Sequence, residues 1–279
     1  GGVGVGGVGV GGQSIAVFGV LDGHGGERCA QQCAEDIPLR VAAHMRAGVS
    51  CPIALHRSFL EADSHFLSSP AGCSSGSTAN VAVYHRQRNV FYIANTGDTR
   101  AVLCRGGAAL DLSHDRKGSD AEEIARVVRA GGYVANGRVQ GSLAVSRALG
   151  DFQLKEQGNK SLRGVLLPDP ELSCFFPTTE DQFMIIATDG LWDVLASQAA
   201  VDHVRNLLRQ EGLDGDLTGL GADIVSVRLS QVAHNLAVHA VSNLNSMDNV
   251  TVLVVVIAGA PAAEPAAGGA GGAGGAGGA

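Results

Sequence analysis

The stretch Val17–Gly26, VFGVLDGHGG, constrains this chain more than any other. Strand-forming apolar residues run to Leu21, and Asp22, Gly23, His24, Gly25 and Gly26 follow at once. An aspartate that closes a buried strand is unfavourable unless it is paired or holds a cation. Gly23 has no Cβ, so the backbone there can approach whatever Asp22 holds. His24 can give or take a proton near neutral pH. Taken alone, the stretch reads equally as a strand running into a glycine turn, with Asp22 capping a helix that begins near Glu27.

Two further aspartates share this context. Asp189 ends the run FMIIAT and is followed by Gly190, and Asp248 precedes NVTVLVVVI. If these strands are neighbours, three carboxylates converge at one edge of the core, where they would repel and desolvate one another. Hard divalent cations such as Mg²⁺ or Mn²⁺ satisfy such a set through oxygen ligands and retained water. Two ions a few ångström apart form a phosphoryl-transfer site. The alternative is three separate cap or turn aspartates.

The rest of the pattern bounds the architecture. Strands are expected over 15–21, 79–85, 90–95, 100–105, 171–176, 183–188 and 249–257, the last a central strand covered on both faces. The three from 79 to 105 stand at hairpin spacing, which makes that part of the sheet antiparallel. Helices are expected over 27–47, where Pro38 should kink or divide the run, and over 52–67 with Pro52 in the first turn. Further helices are expected over 120–130, 197–209 and 223–241. Strands come in antiparallel groups and helices in pairs, which excludes regular βαβ winding and fits packed sheets with helices outside. Residues 1–12 hold only Gly and Val and read as low complexity. Gly2-x-Gly4-x-x-Gly7 matches a dinucleotide fingerprint only formally. Residues 259–279, nearly all Gly and Ala, read as a disordered tail. The folded unit is expected over 13–258.

With 20 basic and 27 acidic residues the net charge is -7, against the basic footprint of a nucleic-acid binder. The longest apolar run, Val250–Ala258, is too short to cross a bilayer, and no signal-like segment opens the chain. The six cysteines (29, 33, 51, 73, 104 and 174) form no C-x-x-C pair and no disulfide-like spacing. Reduced thiols in the cytoplasm or nucleus are the expectation, with no membrane or nucleic-acid partner.

Six motifs in order carry a resemblance: VLDGHGG ending at Gly26, GSTAN from Gly76, ANTGDTRAVL from Ala94, GSLAVSRALGD from Gly141, ATDGLWDVL from Ala187 and DNVTVLVV from Asp248. In these the chain resembles the metal-dependent protein phosphatases of the 2C class. The resemblance implies an α/β (α+β) sandwich, two packed antiparallel β-sheets flanked on both outer faces by α-helices. It implies a monomer that hydrolyses phosphoserine and phosphothreonine in proteins without a phosphoenzyme, using two Mg²⁺ or Mn²⁺. Asp22 would bridge the ions, the Gly23 carbonyl would bind one, and Asp189 and Asp248 the other. Together they would acidify a bridging water for in-line attack, with His24 protonating the departing oxygen. Asp115 with Asp189, joined by Asp193, matches a looser third metal site. Arg138 and Arg147, in the flap region of residues 136–160, would meet an acidic or phosphorylated peptide. Asp98 reads as a turn residue, and Leu191 and Trp192 as core. Where the family carries an arginine and a Glu-Asp pair upstream, whose glutamate is a ligand of the second metal, this chain has Gly1–Gly12, so the expectation for this chain is a scaffold that binds the first metal with reduced turnover, and a pseudophosphatase or regulatory binding module on the same fold stays open. Cys51-x5-Arg57 has the spacing of a cysteine-dependent phosphatase, but the segment reads as a helix.

Overall fold

Alternating burial along the strands sorts the side chains into three layers. In the computed structural model, residues 2–5 (backbone only), 15–68, 74–155, 162–215, 217 and 219–257 are described. The first sheet takes β1 (Gly2–Val5), β2 (Ile15–His24), β3 (Gly76–His85), β4 (Val90–Thr96) and β10 (Glu171–Phe175) in the order β1-β2-β3-β4-β10, and the short β9 (Leu149–Gly150) pairs with β3. The second sheet takes β12 (Val252–Val256), β11 (Asp181–Ala187), β5 (Arg100–Arg105) and β6 (Ala108–Asp111) in that order. Every pairing in both sheets is antiparallel.

On the first sheet, Val17 and Leu21 of β2 and Val81 and Val83 of β3 face outward. There they pack with Ile37 and Val41 of α1 (Arg28–Arg46) and Leu55 and Phe59 of α2 (Cys51–Leu67). On the second sheet, Phe183, Ile185 and Val254 face outward against Val201 and Val204 of α5 (Ser197–Gln210) and Val232 and Leu236 of α6 (Ala222–Val238). The alternate residues Val20, Ala82, Ile93, Leu103, Met184, Ile186 and Val255 form the inter-sheet layer. This is the two-sheet sandwich with helices outside, built from the period-two side-chain alternation of strands. The excursion between β6 and β10 holds α3 (Ala121–Arg129) and the hairpin of β7 (Val134–Ala135) and β8 (Arg138–Val139) around Val127, Val139 and Val165.

Four expectations are corrected. Pro38 does not divide α1: it lies buried inside one continuous helix, on the packed face where the missing N–H is offset by ring burial. The segments 90–95 and 100–105 are not a hairpin. The chain crosses from one sheet to the other between β4 and β5. The last strand is an edge, not a centre. Its apolar residues reflect coverage by α6 and the inter-sheet layer, while β11 takes the central place. Gly2–Val5 is a strand, with Gly2 opposite Asp22, so part of the Gly/Val repeat belongs to the first sheet. Gly7 and residues 259–279 lie outside the described residues, as does Cys73.

Candidate active site

The acidic residues meet because the two sheets bring different strand ends to one edge of the sandwich. β2 continues through Asp22 and Gly23 to His24, still paired with Thr78, Ser77 and Gly76 of β3. Across the sandwich β11 ends at Ala187, and Asp189 opens the short helix α4 (Asp189–Trp192). Thr188 ties this turn to the segment after Asp248. Its N–H donates to Thr251 O at 3.1 Å and its hydroxyl to Asn249 O at 3.2 Å. Leu191 and Trp192 anchor α4 in the core, where the indole N–H donates to Ala187 O at 2.8 Å.

The charges feel one another. Burial, reinforced by the Asp248 charge, raises the Asp22 carboxyl above its ordinary range, and Asp189 lies within side-chain hydrogen-bonding reach of it. Burial first, then Asp22, Asp193 and Asp248, push Asp189 up to about 6. Among the described residues, Asp189 Oδ1 is buried with no hydrogen-bond partner. A buried, orphaned carboxylate oxygen beside two more carboxylates is the electrostatic signature of a cation site. Among the described residues, no three His, Cys, Asp or Glu side chains gather closely enough to hold an ion alone. The donors that do approach one another are carboxylate oxygens, the kind a hard cation takes. Asp248 is exposed, and its Oδ1 accepts from the Asn249 N–H at 2.7 Å.

The turn between the sheets holds Asp98, a turn residue as expected, but a buried one. Asp98 is 5% exposed, and burial first, then the Asp189 charge, push its carboxyl up to about 7. It follows Gly97, whose positive φ of 99° and contact with Thr78 leave no room for a side chain. Asp115, by contrast, is held by Arg100 through bonds of 2.9 and 2.7 Å, and Asp193 accepts from Lys117 at 2.6 Å. Both acids are bonded to a protein cation, while Asp98 feels the Asp189 charge more than that of Lys117. The signal for Asp98 was its position in a tight link between strands of different sheets, which hairpin spacing concealed.

His24 Nε2 contacts both Asp151 oxygens, at 3.0 and 2.8 Å. Burial would lower the imidazole, but the bond to Asp151 and its charge outweigh that, and the net shift is upward. Asp151 was the last residue of a motif and received no role from sequence. Arg147 does not face outward toward a peptide: it bonds buried Glu123 at 2.8 Å and Asp169 O at 3.2 Å. Arg138 is exposed and donates to Ser142 O at 2.8 Å. Cys51 lies in α2, 4% exposed, and burial pushes its thiol up to about 12, while Arg57 is exposed on the same helix. That pair cannot form a thiolate–arginine phosphate loop. No helix among the described residues is long and apolar enough to cross a membrane.

The family model for protein phosphatase 2C matches residues 10–250. A protein named "Probable protein phosphatase 2C 22" from Arabidopsis thaliana is 39% identical over 201 residues, covering 70% of this chain and 51% of that protein. "Protein phosphatase 2C homolog 3" from Schizosaccharomyces pombe is 36% identical over 236 residues, covering 76% of this chain and 55% of that protein. The chain thus spans about half the length of these relatives. A solved phosphatase from a pathogenic strain of Toxoplasma gondii superposes with a TM-score of 0.72 at 20% identity, covering 91% of this chain and 87% of that one. A Caenorhabditis elegans sex-determining protein superposes with a TM-score of 0.73 at 22% identity, covering 92% and 64%. These two show the fold.

Proposed function

Because the chain belongs to the protein phosphatase 2C family, we propose that it hydrolyses phosphoserine and phosphothreonine in phosphorylated proteins with the help of two Mg²⁺ or Mn²⁺. The observation that carries this reading is the convergence of Asp22, Asp189 and Asp248, with the buried Asp189 Oδ1 left without a partner. Asp22, the Gly23 carbonyl, Asp189 and Asp248 would hold the ions. Bound ions supply an acidified water and offset the phosphate charge. His24 gives a proton to the departing seryl or threonyl oxygen, and its upward shift keeps that proton available. For a further, looser ion, Asp98 with Asp189 is better disposed than Asp115 or Asp193, whose carboxylates Arg100 and Lys117 hold.

The regulatory-module alternative gains no support, since the relatives matched are named as phosphatases. We read the protein as a monomer, each sheet being covered by its own helices, and as resident in a reducing compartment, cytoplasm or nucleus. The five described cysteines, all free, support the latter. The test is hydrolysis of a phosphothreonine peptide by this chain. Mn²⁺ should switch turnover on, chelation should abolish it, and thiol alkylation should leave it intact. Turnover that persists in chelator, or none with saturating Mn²⁺, would refute the proposal.

A further inference from the structure

The fold makes several costly arrangements at one point that the three acids at the sheet edge do not need. Asp151 has a left-handed backbone, φ 54° and ψ 50°, a region that non-glycine residues seldom occupy. It is held there from both sides. Its N–H donates to Ser75 O at 3.0 Å, and its carbonyl accepts from the Leu154 N–H at 2.9 Å. The preceding Gly150 has φ 75°, and a Cβ on it would stand 2.5 Å from Ser75 O and 2.7 Å from Cys29 Sγ. Beneath this corner lies a buried ion pair: Asp63 of α2 accepts from the Gly150 N–H at 2.7 Å and from Lys155 Nζ at 2.5 Å. Lys155 also donates to Ala148 O at 2.8 Å. A buried pair of this kind contributes little net stability. Opposite it, Gly76 leaves the space in which the ring and carboxylate meet, for a Cβ there would drive into both Asp151 Oδ2 and His24 Nε2.

These features surround one contact, Asp151 to His24 Nε2. Resting on the phosphatase reading above, we infer that Asp151 is a positioning residue. It holds the His24 ring by Nε2 so that Nδ1 faces the departing alcohol, and the Asp63–Lys155 pair holds Asp151 in place. A carboxylate on one ring nitrogen sets which nitrogen is left for substrate.

The experiment is a double-mutant cycle read on two substrates with Mn²⁺. A phosphothreonine peptide has a leaving group that needs a proton, and p-nitrophenyl phosphate has one that does not. Asp151→Ala should lower kcat on the peptide about 100-fold, within the range of general-acid contributions. The loss on p-nitrophenyl phosphate should be at least about tenfold smaller. Asp151→Asn, whose carbonyl still accepts from Nε2, should recover a large part of the peptide turnover. In a His24→Ala background, Asp151→Ala should cost nothing more, because residues that act as a unit are not additive. Equal losses on both substrates, or losses that multiply in the double variant, overturn the inference while leaving the phosphatase reading intact. A wild-type chain inactive on both substrates overturns the two together.

Discussion

Asp98 offers the sharpest quantitative test of the electrostatics, through Asp98→Asn in metal-free protein. Its carboxyl is raised from 3.8 to about 7, first by burial and then by Asp189. The sign follows from linkage. Above pH 7 the group is ionised in both folded and unfolded chains, and only the folded chain carries the penalty of burying that charge. Between pH 4 and 7 the folded protein binds the extra proton, so stability falls as pH rises through that window and then levels off. A shift of about three units corresponds to about 4 kcal/mol at pH 8. The amide has the same shape and no charge, so the variant should regain most of that amount. For a domain of this size 1 kcal/mol moves Tm by roughly 2–4 °C, so the gain should be on the order of 10 °C. At pH 5 the wild-type group is protonated in the folded state, and the advantage should shrink to less than about half. Thermal unfolding in chelator at the two pH values reads both numbers. A variant no more stable than wild type at pH 8, or equally stabilised at pH 5 and pH 8, would refute the reasoning. Saturating Mn²⁺ should narrow the gap, because an ion restores the use of the carboxylate.

Gly76→Ala should eject Asp151 from His24 and lower phosphopeptide turnover by on the order of 100-fold, with Mn²⁺ affinity measured by calorimetry unchanged; loss of Mn²⁺ binding would point instead to collapse of the sheet edge. Phe59→Ala, in the fully buried layer between α2 and the first sheet, should cost about 3–5 kcal/mol in denaturant unfolding. Asp189→Asn should abolish Mn²⁺ binding, whereas Asp115→Asn should chiefly free Arg100 and lower stability.

Much of this was legible in the chain because local chemistry dictated it. The apolar strands and the helix stripes follow from side-chain periodicity, and Asp22, Asp189 and Asp248 stand out by their strand-edge context, the first two with a glycine directly after them. What periodicity does not encode is the partner across space. Hairpin spacing from β4 to β5 is the same whether the chain turns back or crosses to the other sheet, so the turn position of Asp98 does not reveal its burial. The valines of β12 look central because both of its faces are covered, although one edge is open. Arg100 and Asp115 are 15 residues apart, and His24 and Asp151 are 127 apart. Nothing local marks either pair. Gly76 and Gly150 were visible as glycines, but their meaning lies in what a Cβ would strike.

The crossing between sheets has a consequence in time. Asp22 stands near the start of the described chain, Asp98 at the link between the sheets, and Asp189 and Asp248 in the segments that follow β11 and precede β12. No partial chain brings them together. During synthesis the first sheet and its two helices can pack early, but the acids at its rim stay solvated and separate until β11 and the segment after Asp248 emerge. Such long-range closure is slow compared with helix formation. The proposed hydrolytic competence should therefore appear all at once, so that its onset reports completion of the sandwich. An abandoned nascent chain would carry a hydrophobic inter-sheet face but no activity.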